Sequence, residues 1–501
     1  MAAAEAPKDT SELWNSVFVI AYSSLLVGCA LAQLNALTGD ASATGALALT
    51  TTEVSVCTAA LYCAAGVSSI WANVPLDRYG RKQTLLRVNA CFVAGGACTC
   101  FNSFLVIAAG RSIIGVACGI ALVAVPTLLA EIAPPEERGS MGVIHLLCIN
   151  GGVCLAAIIA YPFVMYVDGG WRWANLTFSL MPCVQLALHG YVLESPLWKQ
   201  PAERDEAAAA SEAEDDDLKP SWWDLREPLA VGATLAALQP LTGINIFTSY
   251  STAIYKIAGL GDPIVGTIVG NVSLMACSCL AVLLVERMGR RDLLRMSCSI
   301  MTLSAVVVGV SLYSSTDEGD DATPETAYTT LLGAAGFLGG FSLGCGPVLW
   351  VLIAETFPTS RRSQALGGLN TLNAFVNLAV VFSSLFLVNA LAGCSMEANI
   401  DDDTLCGAVE LRKAVGELML ILAFVTAITV VFVTAFVEET AGSDLEALDR
   451  RYCCLPSCVP RAKPPQKQER LTDGSPGPTP PPRRRGQEER PLLPGDKRAL
   501  A

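Results

Sequence analysis

The chain is short of charge and nearly devoid of histidine. Only 16% of its 501 residues are charged, and histidine occurs twice, at His145 and His189. A soluble domain keeps about a quarter of its residues charged to cover its surface, so this shortage excludes an ordinary water-exposed fold. Two isolated histidines, with no HExxH helix, no Ser–His pair and no paired Asp in the apolar segments, argue against an enzyme and imply no cofactor. Both histidines read as packed polar residues. Basic side chains are outnumbered as well: 33 Lys and Arg stand against 46 Asp and Glu, a net charge of −13. That balance excludes nucleic acid as a partner. No cleavable signal peptide is evident. A short N-terminus with acidic residues runs into the first apolar segment, which is expected to act as a signal anchor.

What the chain has instead is apolar sequence. Hydrophobic residues make up 52% of it, and the mean hydropathy is +0.48. A membrane span needs about 20 mostly apolar residues. Twelve such segments are expected, near 14–34, 54–75, 84–101, 104–130, 140–163, 173–193, 228–257, 263–285, 293–313, 327–354, 364–390 and 413–436. The bilayer is therefore one partner. Short loops with Arg78, Arg81 and Lys82, with Arg287, Arg290 and Arg291, and with Arg361 and Arg362 alternate with an acidic loop at Asp317–Glu325. By the positive-inside bias both termini are expected to be cytosolic. Most of the nineteen cysteines fall in spans, where Cys behaves as a small apolar residue. Cys394 and Cys406 share an outer loop where a disulfide is allowed, and Cys453, Cys454 and Cys458 are palmitoylation candidates.

The chain repeats itself. DRYGRK at Asp77–Lys82 returns as ERMGRR at Glu286–Arg291, and AEIAPPEER at Ala130–Arg138 returns as AETFPTSRR at Ala354–Arg362. ESP at Glu194 is echoed by EET at Glu438. Each block recurs at the same end of the equivalent span, so the repeat is parallel, about an axis along the membrane normal. The expected fold is an all-α polytopic membrane protein with the major facilitator layout of twelve helices in two six-helix bundles. Residues 1–13 would be a cytosolic N-terminus, 14–196 the first bundle, 197–226 a cytosolic linker, 227–440 the second bundle and 441–501 a disordered cytosolic tail.

One apolar segment is unusually polar. LQPLTGINIFTSYSTAIY, from Leu238, carries Gln239, Thr242, Asn245, Ser249 and Thr252 at offsets of three, three, four and three. Helical pitch puts these on one stripe. Pro240 and Gly243 interrupt the same helix. Hydrogen-bonding groups are costly against lipid, so the stripe must face protein, water or a ligand.

These motifs carry a resemblance. DRYGRK, GRSIIGVACG at Gly110, the Glu-to-Arg blocks, ESP, QPLTGIN, VERMGRR, GCGPVLW at Gly344 and EET occur in the order found in the sugar porter family of the major facilitator superfamily, which includes facilitative glucose transporters. The similarity spans roughly residues 14–445. It implies transmembrane transport of a hexose-type sugar by alternating access. Gln239, Asn245, Asn373 and Asn377 would bind the sugar, and Trp350 would offer an apolar wall. Neutral amides suit this task because each both donates and accepts. The competing view is that such Asn residues glue helices together. Several family positions differ: Ala157, Pro240, Leu274, Ser342 and Ala374 stand where the family has Gln, Gln, Asn, an acid and an aromatic.

The resemblance also implies gating charges. Arg81, Glu131, Arg138 and Glu194 in one half, and Glu286, Arg290, Glu355, Arg362 and Glu439 in the other, would bridge the halves when the carrier faces outward. Tyr250 would serve as an outer lid. Proton-driven members carry an Asp in the first span, where this chain has Ala30, so uniport is expected. A relay needs a group that changes charge inside the membrane. Proton-coupled sugar transport, polyol or inositol transport, and a non-transporting sugar sensor stay open as alternatives. Glu488, Leu492 and Leu493 fit an acidic dileucine signal read by sorting adaptors, consistent with a plasma or endosomal/lysosomal membrane.

Overall fold

An apolar segment can cross hydrocarbon only if its backbone N–H and C=O groups are bonded within the segment itself, which favours helix. The computed structural model describes residues 10–38, 47, 49–134, 138–196, 198, 221–285, 287–315, 323–393 and 407–439. Every regular element among them is helical. The first half holds α1 (Thr10–Thr38), α2 (Thr51–Trp71), the short α3 (Asn73–Tyr79), α4 (Arg81–Cys98), α5 (Phe104–Ile132), α6 (Arg138–Tyr166) and α7 (Gly170–Ala187). The second holds α8 (Arg226–Leu241), α9 (Ile244–Ile257), α10 (Pro263–Val285), α11 (Arg290–Ser314), α12 (Pro324–Gly340), α13 (Pro347–Thr356), α14 (Thr359–Ala392) and α15 (Ala408–Phe436).

Ten helical segments among the described residues are long and apolar enough to cross a membrane, with α8–α9 and α12–α13 each counted as one. The 18-residue helices α4 and α7 complete twelve. Helix α4 falls short in hydropathy because Arg81 and Lys82 open it and Arg87 follows in its second turn. Large apolar side chains such as Leu105, Leu332 and Phe424 point outward, which is favourable only beside lipid.

Helix pairing follows the internal repeat. In the first half the contacting pairs include α1–α6, α2–α5, α4–α5 and α4–α7, which are spans one–five, two–four, three–four and three–six. In the second half α8–α14, α10–α12, α11–α12 and α11–α15 are the same pairs shifted by six spans. The halves meet along α2–α14 and α6–α10, an exchange-related pair of seams, and along α1–α9. Close crossings use glycine. A Cβ on Gly28 of α1 would lie 1.9 Å from the Ile149 carbonyl of α6, and one on Gly152 of α6 would lie 2.1 Å from the Leu25 carbonyl. Small residues let backbones approach where lipid supplies no hydrophobic drive between helices.

Three spans depart from continuous helices. The second ends at Trp71 rather than near residue 75, because Pro75 has no N–H for the Trp71 carbonyl. The seventh breaks between Leu241 and Ile244. The tenth contains a π turn at Phe341–Cys345, closed by Gly346 N donating to Phe341 O at 2.9 Å. With twelve spans, α1 starts and α15 ends on one face of the bundle, called the terminal face below, and the other is the far face.

Candidate functional site

The break in the seventh span arises from two residues. Pro240 cannot donate to the Ala236 carbonyl four residues back. Gly243 takes φ 85°, a left-handed conformation, and a Cβ there would meet Leu422 of α15 at 2.5 Å. Thr242 closes the broken end by donating its hydroxyl to Gln239 O at 2.6 Å. The polar stripe survives the break: Gln239, Thr242, Ser249 and Thr252 are buried and Asn245 is half-buried.

Four of the expected amides form one connected row. Asn373 Nδ2 of α14 donates to Gln239 Oε1 at 2.9 Å and to Ala236 O at 2.9 Å. It thereby satisfies the very carbonyl that Pro240 orphans. Gln239 Nε2 donates to Cys345 O of the π turn at 2.9 Å. Asn377 Nδ2 donates to Asn373 Oδ1 at 3.4 Å, and Asn245 Nδ2 donates to Asn377 Oδ1. Ser297 of α11 fixes the π turn, donating to Gly340 O at 2.7 Å and accepting from Cys345 N at 2.8 Å. Trp350 is half-buried on α13, which packs on α8 and α14, the helices that carry Gln239 and Asn373.

All four amides belong to the second half. The first half reaches them through Tyr62 of α2, whose hydroxyl donates to Asn245 Oδ1 at 3.5 Å. Nothing in the local periodicity of α2 singles out Tyr62. Asn35 of α1 makes a second link between the halves, nearer the far face. Its Nδ2 donates to Thr248 O at 3.2 Å and Ser251 Oγ at 2.8 Å, and its Oδ1 accepts from Thr252 N at 3.0 Å. One carboxamide thus engages both ends of a turn of α9. Tyr250 is buried beside Thr58 and Ser55 of α2 and makes no well-formed hydrogen bond through its hydroxyl among the described residues.

On the terminal face the repeated charges build two copies of one device. Glu194 accepts from Arg81 N at 2.9 Å and Lys82 N at 3.2 Å, capping α4, while Glu439 accepts from Arg290 N at 2.8 Å and Arg291 N at 3.2 Å, capping α11. A carboxylate over a helix N-terminus meets unbonded N–H groups and the positive dipole end. Neither Gly80 nor Gly289 leaves room for a Cβ, which would lie 2.6 Å from Glu194 Oε2 and 2.2 Å from Glu439 Oε2. Arg81 grips Glu131 through Nε and Nη2, both at 3.0 Å, and Arg290 pairs with Glu355 at 3.6 Å. Arg362 donates to Phe357 O at 3.1 Å. Each of these pairs lies within one half. The Arg138 side chain, Glu286, and the tail residues Glu488, Leu492 and Leu493 lie outside the described residues, as do Cys394, Cys406, Cys453, Cys454 and Cys458.

Comparison with known proteins places this arrangement. A family profile described as "Sugar (and other) transporter" matches residues 13–452. The chain belongs to that sugar transporter family. It is 28% identical to the glucose transporter GlcP of Staphylococcus epidermidis over 406 residues, covering 74% of this chain and 82% of that one. It is 26% identical to solute carrier family 2, facilitated glucose transporter member 8, of Mus musculus over 429 residues, covering 78% and 82%. The crystal structure of a D-xylose-proton symporter superposes with a TM-score of 0.69 at 20% identity, covering 86% of this chain and 99% of that one, which establishes the fold.

Against that family pattern the departures are structural as well as chemical. Ala157 and Leu274 are 2% exposed, inside the packed core. Asn271, one turn from Leu274, is 1% exposed and donates to Val153 O at 3.3 Å, so it joins α10 to α6. Asn150 does the same through Ser278 Oγ at 2.6 Å. Here the interhelical-glue view of asparagine holds. Arg111, which lacks a span-one carboxylate, donates instead to Ala30 O at 2.6 Å and Gln33 Oε1 at 3.3 Å. Gln33 is held in turn through Asn175 Oδ1 at 2.5 Å. His145 Nδ1 lies 2.7 Å from Ser24 Oγ, a packing bond between α6 and α1.

Proposed function

We propose that this member of the family carries a hexose-type sugar by alternating access, as facilitated diffusion. The row Gln239–Asn373–Asn377–Asn245, completed across the halves by Tyr62, carries the reading. Its groups are neutral, donate and accept at many points, and satisfy one another in the absence of sugar. Hydroxyls of a hexose can replace these mutual bonds one for one, so binding leaves no buried group stranded. Weak multipoint binding also permits release. Trp350, on the adjoining helix, is assigned to the apolar face of the sugar ring.

Both termini are assigned to the cytosol by the basic loops at Arg78–Lys82, Arg287–Arg291 and Arg361–Arg362. The terminal face is then cytosolic. The Asn35 contact joins the halves toward the outer face, while Arg81–Glu131 and Arg290–Glu355 pair within halves on the inner face. That combination supports an inward-facing state. In the outward-facing state Arg81, Glu131, Arg138 and Glu194 would exchange partners with Glu286, Arg290, Glu355, Arg362 and Glu439, and Tyr250 would swing away from α2. Uniport is supported by Arg111 being held by a carbonyl and an amide, neither of which titrates. The tail segment EERPLL, with Glu488, Leu492 and Leu493, would engage sorting adaptors and direct the carrier among plasma, endosomal and lysosomal membranes.

The test is radiolabelled uptake into proteoliposomes with a panel of hexoses, pentoses, polyols and inositol, with and without a pH gradient. Hexose uptake is expected to saturate and to stop at equilibrium in both conditions. Accumulation above equilibrium driven only by inward proton flow would overturn uniport. Uptake confined to polyols or inositol would overturn the hexose assignment.

A further inference from the structure

Among the described residues Arg111 is a charge without a counterion. Its side chain is fully buried on α5. Nη1 makes both of its hydrogen bonds, to Ala30 O and Gln33 Oε1, while Nε and Nη2 have no partner among the described residues. Its electrostatic neighbours are Cys57 and Tyr62 of α2, Cys118 of α5 and Tyr250 of α9, none a carboxylate. Glu53, one turn from Cys57, is occupied as the capping partner of Thr50. Two more donors without a well-formed hydrogen bond among the described residues stand in the same neighbourhood, the buried hydroxyls of Ser249, beside Tyr62, and of Tyr250, beside Thr58 and Ser55. Tyr62 ties this cluster to the amide row, because it lies beside Ser249 and donates to Asn245 Oδ1. A buried guanidinium left without an anion is strongly unfavourable, and its planar fork matches a carboxylate.

We infer that the site also takes an acidic sugar, a hexuronate, with its ring on the amide row and its carboxylate on Arg111, Tyr250 and Ser249. This rests on the amide row being the sugar site. The ring hydroxyls use the same neutral groups as a hexose. The carboxylate at C6 supplies the anion that the described residues do not place beside Arg111, through charge-assisted bonds from Nε and Nη2. A neutral hexose leaves those donors unmet, so the two ligands share one site and compete.

The test uses the wild-type protein in proteoliposomes. Inhibition of labelled hexose counterflow is compared for D-glucuronate and D-glucuronamide, which share shape and differ in charge. Glucuronate is expected to inhibit at least about tenfold more strongly, the size of one charge-assisted bond. Labelled glucuronate uptake should also speed up when a potassium diffusion potential makes the interior positive. Arg111→Gln should abolish the preference for glucuronate over glucuronamide, and Arg111→Lys should restore part of it. Equal inhibition by the two ligands in the wild type would overturn the inference while leaving the hexose reading intact. Absence of hexose counterflow in the wild type would instead overturn the hexose reading.

Discussion

Asn373 satisfies a defect that Pro240 creates, and this coupling can be measured. Replacing Asn373 by Ala strands two acceptors, Ala236 O and Gln239 Oε1, each of which receives a 2.9 Å bond from Nδ2. Interhelical hydrogen bonds in membranes average about 0.6 kcal/mol, and orphaned buried groups cost about 1–3 kcal/mol. Taking about 1 kcal/mol for each acceptor, Asn373→Ala should cost ~2 kcal/mol. In a Pro240→Ala background residue 240 has an N–H again, and the helix can bond Ala236 O by itself. The same Asn373→Ala substitution then strands one acceptor and should cost ~1 kcal/mol. The expected coupling of ~1 kcal/mol exceeds the roughly 0.3–0.5 kcal/mol within which independent sites add. Reversible unfolding of the four proteins in mixed micelles gives the cycle directly. Additive costs would refute the compensation.

Three other outcomes are expected. Gly243→Ala should destabilise by at least about 1–2 kcal/mol, because a left-handed φ is unfavourable for any residue with a Cβ. Leu422→Ala should relieve its steric part only, as read by melting temperature. Glu194→Gln and Glu439→Gln should each lower stability by about 0.3–1 kcal/mol through the lost charge over a helix N-terminus, and a loss in only one half would break the equivalence of the two caps. Asn35→Ala removes three bonds between α1 and α9. Amide exchange across Thr248–Thr252 should then quicken by about fivefold or more, since ~1 kcal/mol of closure is lost; unchanged exchange would exclude Asn35 as a latch.

Much of the layout was legible because the bilayer enforces it. Span length, basic loops and the recurrence of DRYGRK as ERMGRR are local signals, and the pairing of α1–α6 with α8–α14 follows from them. The polar stripe from Gln239 to Thr252 was likewise visible as offsets of three and four. Its break was announced by Pro240 and Gly243. The ESP and EET echoes were legible as repeats, although their role as caps on α4 and α11 needed the fold. Other features depend on contacts across more than a hundred residues. Asn35 and Thr252 meet from opposite halves, and Tyr62 finds Asn245 only once α2 packs on α14. Periodicity within a span cannot distinguish Asn377, which joins the amide row, from Asn271, which fastens two helices. The first half reaches the row through a phenol, that of Tyr62, which no pattern within its own span marks out.

Sugar counterflow in proteoliposomes, run on the wild type and on Asn245→Ala at matched protein content and melting temperature, tests the amide row most directly. Labelled hexose is expected to exchange rapidly in the wild type and to lose about tenfold or more of its rate in Asn245→Ala, as one to two hydrogen bonds to the sugar disappear. An Asn245→Ala carrier that exchanges hexose at the wild-type rate would contradict the assignment of these amides to the sugar.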